Sequence, residues 1–262
     1  MQDRILSFEG VRNFRDFGGY PTEGGGRVAD GLLYRSAHFA EATDEDVEKI
    51  RTMGIRIVCD LRRPEERKTQ ANRWPTPECA TRALFSEDGG LDEPPHIAFL
   101  KSGDLTPAAV HAFMRNLYAE IPFDARYVSL FSDFLRHLAE DDAPALVHCA
   151  AGKDRTGILC ALTLISLEVP EDVIVEDYEL TNTAVDLTGR LPMIRERFQQ
   201  MTGVEIPTES ILPFLGVDVS YLATAMDMMQ KRCGSIHGYM DEILGIDEEM
   251  REAMRERLVI AS

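Results

Sequence analysis

A cysteine and an arginine lie six positions apart within a short run of small residues. Residues 148–157 read His-Cys-Ala-Ala-Gly-Lys-Asp-Arg-Thr-Gly and separate a predicted strand from a predicted helix. A loop at a helix N-terminus directs several backbone N–H groups toward one anion. The small side chains of Ala150, Ala151 and Gly152 let the backbone approach that anion closely. Arg155 can donate two parallel hydrogen bonds to phosphate oxygens, so the segment predicts a phosphate-binding loop.

Cys149 lies at the start of this positive environment. A helix N-terminus and a nearby guanidinium both favour the thiolate form of a cysteine over the thiol. The thiolate is a nucleophile at neutral pH, and we expect it to attack phosphorus and form a covalent phosphocysteine. The hydroxyl of Thr156 is expected to donate a hydrogen bond to the sulfur. This pattern predicts a phosphatase that cleaves phosphate monoesters without a metal ion or cofactor.

Other interpretations of the same loop are open to test. The Walker pattern needs Ser or Thr after Gly152-Lys153, where this chain has Asp154, and the dinucleotide Gly-x-Gly-x-x-Gly is absent. A rhodanese-like sulfurtransferase also holds a cysteine on a short anion loop, but the Arg-Thr-Gly ending after five intervening residues disfavours it. A strand-to-helix turn with an inert buried cysteine and a phosphate-binding pseudophosphatase are the two interpretations without catalysis.

The segment resembles the His-Cys-x5-Arg signature of protein tyrosine phosphatases. Its Ala-Gly-Lys-Asp-Arg-Thr-Gly version is most similar to a bacterial branch of atypical tyrosine and dual-specificity phosphatases that also act on phosphoinositides. Order and spacing match this branch over about residues 1–185, and the later helices match in character only. The other matching segments are Asn13–Tyr20, Tyr34–Ser36 and Cys59–Arg62 with Glu65 or Glu66 after it.

The resemblance implies roles for most of the loop. Cys149 would be the nucleophile, Arg155 would clamp the phosphate, and His148 would tune the thiol from behind. The predicted substrate-binding residues are Ala150, Ala151, Gly152, Lys153, Thr156 and Gly157. Their partner would be a phosphorylated protein, a peptide or a phosphoinositide, with inorganic phosphate as the product.

Protonation of the leaving oxygen requires a carboxylic acid near it. No Trp-Pro-Asp loop is present, because the single tryptophan lies in Trp74-Pro75-Thr76. Asp154 is therefore the first candidate for the general acid, as the resemblance also implies. Asp60, at the end of a predicted strand, is the second candidate. Its simpler interpretation is a structural partner for Arg15 or Arg62.

Three further charged residues border the predicted loop in sequence or by resemblance. Lys153 is expected to add positive charge at the rim of the site and to help with extra phosphates, although a solvated lysine is the simpler interpretation. The segment 13–20 could brace the loop. Within it, Arg15 and Asp16 are expected to be structural or to border the pocket.

Composition limits the partners and the compartment. The chain has 262 residues, of which 44% are hydrophobic and 28% charged, and its net charge is -17. Such an acidic protein is not expected to bind nucleic acid or an anionic membrane surface. Five cysteines without a Cys-x-x-Cys pair argue against a disulfide framework or a structural zinc site. With no secretory signal and no membrane span visible in the sequence, we expect a cytoplasmic protein, and export by a route without such a signal is the open alternative.

The surrounding pattern predicts an α/β fold. Strands are predicted at 32–35, 55–61, 79–85 and 145–148, and helices at 43–53, 107–120, 125–140, 155–167 and 170–182. Residues 86–104 are expected to form a long loop. This order indicates a mostly parallel central sheet flanked by helices, as in tyrosine phosphatases.

The domain organisation is expected to be simple. We predict a single phosphatase domain over 1–262, with a core at about 1–185 and a helical C-terminal extension at about 186–262. Residues 86–140 carry an apolar face at Leu100, Val110, Phe113, Met114, Leu117 and Tyr118. This face predicts either a mobile lid or ordinary helices packed on the core.

Overall fold

A five-stranded sheet forms the centre of the computed structural model of this chain. The structure describes residues 4–74, 82–88, 95–101, 104–185 and 207–261, with scattered residues between 189 and 203. The strand order is β1-β3-β6-β4-β5, with β3, β6, β4 and β5 parallel and β1 antiparallel at the edge. The strands of this sheet are β1 Arg15–Asp16, β3 Leu33–Ser36, β4 Ile57–Asp60, β5 Arg82–Leu84 and β6 Ala145–His148.

The three inner strands end at the same edge of the sheet. In the register, Ser36 of β3 and Asp60 of β4 both lie opposite His148 of β6. All residues of these strands are buried, as expected for strands covered on both faces. Their carboxyl ends therefore place the segment after β6 in the crevice where α/β proteins bind ligands.

Helices cover both faces of the sheet and confirm most of the sequence-based expectations. Helix α1 begins with a capping box between Thr43 and Asp46, and α4 and α5 have the predicted bounds. The predicted loop at 86–104 is wrong in part, because a helix occupies 95–101. The helices are α1 Asp44–Thr52, α2 Pro64–Thr69, α3 Pro95–Lys101, α4 Pro107–Glu120, α5 Ala125–Glu140, α6 Asp154–Ser166 and α7 Glu171–Ala184.

The C-terminal part is not purely helical. Its described helices are α8 Thr208–Leu215, α9 Val219–Cys233, α10 Ile236–Tyr239 and α11 Glu248–Leu258, with a π-helical turn at Met240–Leu244. The chain then returns as β7 Val259–Ala261, which pairs with β2 Gly26–Val28. The sequence reading missed this strand because three residues offer too short a pattern. Buried side chains from Phe17 to Leu258 form one cluster, so these helices share the core of the sheet.

The apolar face between residues 100 and 118 is turned into the protein. Leu100, Val110, Met114 and Tyr118 are buried, and α4 packs against α8 and α9. Phe113 stacks on Phe99 of α3 with ring centroids 4.4 Å apart. These contacts support helices packed on the core, and lid motion stays a prediction.

The described residues contain neither a single membrane-spanning helix nor a cluster of metal ligands. No single described helix is long and apolar enough to cross a membrane. The bent pair of α8 and α9 together has the length and composition of a membrane span, and nothing else indicates one. No cluster of three or more His, Cys, Asp or Glu side chains in the described part of the chain could hold a metal ion.

Candidate active site

The loop between β6 and α6 depends on a glycine at one position. Gly152 has φ +68°, and a Cβ atom there would lie 2.2 Å from the carbonyl oxygen of Ser36. A side chain is therefore excluded by both backbone conformation and space. The absence of a side chain lets the loop lie directly against the end of β3.

Side chains from elsewhere in the chain hold the loop by its carbonyl oxygens. Asn13 Nδ2 donates to the oxygens of Ala151 at 3.1 Å and Gly152 at 2.8 Å, and Arg35 Nη2 donates to Gly152 at 3.1 Å. Among the residues that the structure describes, none accepts a hydrogen bond from the backbone N–H groups of residues 150–153. The carbonyls are thus engaged on one side, and the N–H groups stay available for an anion.

A buried charge network fixes those donors. Asp177 of α7 accepts from Arg35 Nη1 at 2.6 Å and from Arg15 Nε at 3.3 Å. Arg15 also donates to the side-chain oxygen of Asn13, whose backbone has the unusual φ of 55°. The two arginines and Asp177 are almost completely inaccessible to solvent. A non-glycine residue in this conformation persists only where its surroundings enforce it, as this network does.

Arg155 is held by a carboxylate that leaves one edge of the guanidinium open. Nη1 donates to Glu66 Oε2 at 2.6 Å and to the Leu61 oxygen at 3.1 Å, and Nη2 donates to Glu66 Oε1 at 2.9 Å. An arginine has five N–H groups, so Nε–H and one Nη2–H remain on the same edge. That edge has the geometry to bind two phosphate oxygens.

The charges around this pair reinforce one another. Burial would raise the pKa of Glu66, but Arg155 and the hydrogen bond from the Arg63 backbone lower it to about 2. Burial would lower the pKa of Arg155, but Glu66 and Cys149 raise it well above its usual value. Cys149 therefore lies within electrostatic range of the Arg155 guanidinium.

Cys149 lies at the bottom of the site, with only 1% of its surface exposed. Behind it, His148 Nδ1 is 3.3 Å from the Cys149 carbonyl oxygen, which can only accept, so Nδ1 carries the hydrogen. Nε2 then accepts from Asn72 Nδ2 at 3.2 Å. Burial lowers the pKa of His148, which keeps the ring neutral and fits this tautomer.

Asp154, the first candidate for the acid, has two donors on one oxygen. Tyr118 donates its hydroxyl to Oδ1 at 2.8 Å, and Lys153 Nζ is 3.2 Å from the same atom. The side chain is 20% exposed, so it is in contact with both the protein and the opening of the site. Among the described residues, no group donates a hydrogen bond to Oδ2, so this oxygen is free to face a substrate.

Asp60, the second candidate, is engaged differently. Its carboxylate accepts from Arg62 Nε at 2.9 Å and Nη2 at 2.7 Å. Burial would raise the pKa of Asp60, but the charge of Arg62 and the hydrogen bonds that it donates lower this pKa overall. Arg62 thus engages both oxygens of Asp60 and leaves neither to face a leaving group, so this geometry favours the structural interpretation.

Lys153 is not at the rim, and the prediction of its position is wrong. Its ammonium is buried and donates to the carbonyl oxygens of Phe214 at 2.6 Å and Gly216 at 3.1 Å. The charge therefore ties the loop to the end of α8. A long side chain reaches whichever acceptors the fold provides, and the sequence alone did not show that α8 ends there.

Three other residues predicted at the site lie in surroundings that indicate a role in the fold. The buried hydroxyl of Thr156 has no hydrogen-bond partner among the described residues, so the expected bond to the sulfur is not formed. Gly157 lies against the ring of Tyr178, where an added Cβ would be 2.9 Å from a ring carbon. Asp16 accepts from the backbone of Gly18 at 2.7 Å and Gly31 at 2.6 Å and fixes a turn outside the loop.

The sequence matches a known protein family over almost its whole length. A family model described as the tyrosine phosphatase family matches residues 6–260. The chain belongs to the tyrosine phosphatase family. It is therefore an enzyme of the phosphatase class, and the family match extends well beyond the limit near residue 185 that the sequence motifs indicated.

Relatives of this phosphatase come from several organisms. A Cupriavidus necator protein, provisionally named a tyrosine-protein phosphatase, is 32% identical over 242 residues, which cover 92% of this chain and 85% of that protein. The triple specificity protein phosphatase PtpB of Mycobacterium tuberculosis is 30% identical over 278 residues, covering 96% and 98%. The crystal structure of P. aeruginosa TpbA matches with a TM-score of 0.31 and 18% identity over 77% of this chain and 91% of that chain.

Sequence reasoning missed several residues that shape the phosphatase site. Glu66 was noticed only as part of a matching segment, and Arg35 likewise, without a role. Tyr118 was named only for the apolar face of residues 86–140. Asp177 and Asn72 were not predicted, because each is distant in sequence from the segment that it supports. One sequence signal is available for Asp177: it is a charged residue at a position of α7 that faces the core. A charge at such a position predicts a buried partner of opposite charge.

Proposed function

We propose that this phosphatase hydrolyses phosphate monoesters through a phosphocysteine on Cys149. The observation that carries the proposal is the unused edge of the Arg155 guanidinium, within electrostatic range of Cys149, together with a loop whose N–H groups have no acceptor among the described residues. Guanidinium and N–H donors that are fixed before substrate arrives stabilise the charge that develops on a transferring phosphoryl group.

The proposed reaction has two steps. The Cys149 thiolate attacks phosphorus, the bond from phosphorus to the ester oxygen breaks, and Asp154 gives its proton to the departing oxygen. A water molecule then attacks phosphorus and gives a proton to Asp154, and the sulfur leaves as thiolate. The products are an alcohol or phenol and inorganic phosphate, so the cycle needs no metal ion or redox cofactor.

Phosphotyrosine is the proposed principal substrate. The nucleophile is almost completely buried, so a long and flat phosphoester reaches it better than a short one. An aromatic cluster of Phe99, Phe113 and Phe214 lies next to Lys153 through the Phe214 backbone, and it offers an apolar contact for an aryl ring. The M. tuberculosis relative is named for triple specificity, which supports a substrate panel wider than phosphotyrosine alone. The sequence resemblance adds phosphoserine, phosphothreonine and phosphoinositides to that panel.

The two alternatives from the sequence remain testable. Sulfur transfer would require the Cys149 loop to accept a sulfane sulfur. The bidentate pairing of Arg155 with Glu66 does not indicate a site for that sulfur. A pseudophosphatase would bind phosphate without turnover, which the presence of Cys149, Asp154 and Arg155 disfavours. The cytoplasmic location also stays a prediction from the sequence.

The decisive experiment measures hydrolysis of p-nitrophenyl phosphate and of a panel of phosphotyrosine, phosphoserine and phosphoinositide substrates. Cys149→Ser should abolish turnover while phosphate binding persists. Cys233→Ser, a partly exposed cysteine at the end of α9, is the matched control and should retain full activity. Turnover that survives Cys149→Ser would reject Cys149 as the nucleophile, and thiosulfate:cyanide exchange in place of phosphate release would favour the sulfurtransferase.

A further inference from the structure

Two buried tyrosines form a hydrogen-bonded chain that ends on Asp154. Tyr118 lies in α4 and Tyr178 in α7, and their hydroxyl oxygens are 2.7 Å apart. The Tyr118 hydroxyl also lies 2.8 Å from Asp154 Oδ1. Neither tyrosine belongs to the phosphate-binding loop.

The direction of this chain follows from counting protons. A phenol has one hydrogen to donate, and a carboxylate oxygen can only accept. The hydrogen of Tyr118 therefore goes to Asp154, and Tyr178 must donate its own hydrogen to the Tyr118 oxygen. Burial, with the nearby charge of Asp154, raises the pKa of both phenols well above the usual value, so both remain protonated donors.

The packing around the two phenols leaves them little freedom. The Tyr118 ring meets the Tyr178 ring edge-on at 6.4 Å between centroids and lies 5.6 Å from the Tyr221 ring. The Tyr178 ring lies against Gly157 in the first turns of α6, where even a methyl group would be too close. Helix α6 begins at Asp154, so the tyrosines and the carboxylate are fixed to the same helix start.

We propose that Tyr118 is a positioning residue for Asp154. Its hydroxyl, held by Tyr178, fixes Oδ1 and leaves Oδ2 as the oxygen that carries the proton to the leaving group. Lys153 Nζ, 3.2 Å from Oδ1, acts on the same atom and supports this division between the two oxygens. The inference rests on the proposed role of Asp154 as general acid and goes beyond it by assigning the reacting oxygen and the residue that sets it.

The test compares two substrates that differ in their need for a proton. Phenyl phosphate has a poor leaving group, and 2,4-dinitrophenyl phosphate has one that departs without protonation. Tyr118→Phe should lower kcat/KM for phenyl phosphate by about tenfold or more, and for 2,4-dinitrophenyl phosphate by less than about threefold. Tyr178→Phe should give the same pattern with a smaller effect, and it serves if the Tyr118 variant fails to fold.

Matched controls separate positioning from general damage. Tyr221→Phe removes the hydroxyl of a neighbouring tyrosine that pairs with His111 Nδ1 at 2.7 Å, and both substrates should be turned over as in the unmodified enzyme. In an Asp154→Asn background, Tyr118→Phe should change phenyl phosphate turnover by less than about twofold, since coupled residues are non-additive.

The outcomes are distinguishable. Equal losses for both substrates in Tyr118→Phe, or an undiminished loss in the Asp154→Asn background, would overturn the positioning role alone. If Asp154→Asn itself left the ratio of the two substrates unchanged, the general acid assignment would fail, and the role of Tyr118 with it.

Discussion

Removing the charge of Glu66 should weaken both the fold and the phosphate clamp. In Glu66→Gln the side chain keeps its shape, but the two charge-assisted hydrogen bonds from Arg155 lose their carboxylate. The pKa of Glu66 falls from 4.5 to about 2 on folding. At about 1.4 kcal/mol per pKa unit, this lowering of the pKa corresponds to about 3–4 kcal/mol of stability at neutral pH. Both side chains are at most 20% exposed, so solvent screening removes little of that figure.

The pH dependence of this loss has a defined sign. A carboxyl whose pKa is lowered on folding stabilises the protein above its unfolded pKa, and the contribution disappears as pH falls through the folded pKa. The difference in unfolding free energy between the unmodified chain and Glu66→Gln should therefore be constant above about pH 5.5 and shrink steadily toward about pH 2. Urea unfolding followed by circular dichroism at a series of pH values measures this difference.

Activity provides an independent readout of the same contact. Without Glu66 the guanidinium of Arg155 can turn away from the loop, and a misplacement of about 1 Å can cost roughly a hundredfold in rate. We expect kcat/KM to fall by at least about tenfold. Glu65→Gln, an exposed neighbour in α2, is the control and should change neither quantity. A difference in unfolding free energy below about 1 kcal/mol, or one that does not vary with pH, would refute the reasoning.

Two further substitutions test how the loop is supported. Gly152→Ala should reduce kcat/KM by more than about tenfold and lower the melting temperature, because the new Cβ would lie 2.2 Å from a backbone oxygen. Gly234→Ala is the control, since Gly234 has a similar positive φ but open space around it. Comparable losses in both variants would contradict the steric explanation. Asp177→Asn should cost about 3–5 kcal/mol in urea unfolding, because two buried guanidiniums lose their carboxylate, and a loss under about 1 kcal/mol would show that the network does not depend on this charge.

Much of the fold could be predicted because its elements have strong local patterns. The strands at 57–60 and 145–148 are short apolar runs, and α4 and α5 carry clear helical periodicity with caps at Thr106 and Asp124. The helix at 95–101 was missed because prolines and glycines dominate its surroundings. Strand β7 was missed because its pairing with β2 joins the two ends of the chain.

The amino-acid sequence alone predicts the chemistry of the loop, because the residues that this chemistry needs lie in ten consecutive positions. A cysteine, small residues and an arginine at a helix start need no distant partner to indicate phosphate binding.

The partners that orient those groups are brought together by folding and could not be predicted from the loop itself. Glu66 is 89 positions from Arg155, and Asn13 is 139 positions from the glycine whose carbonyl it holds. Tyr118 reaches Asp154 across 36 positions, and Lys153 turns to carbonyls more than 60 positions away. Such partners are selected by how helices pack on the sheet, and a residue's type limits the bonds that it can make without specifying which group it meets.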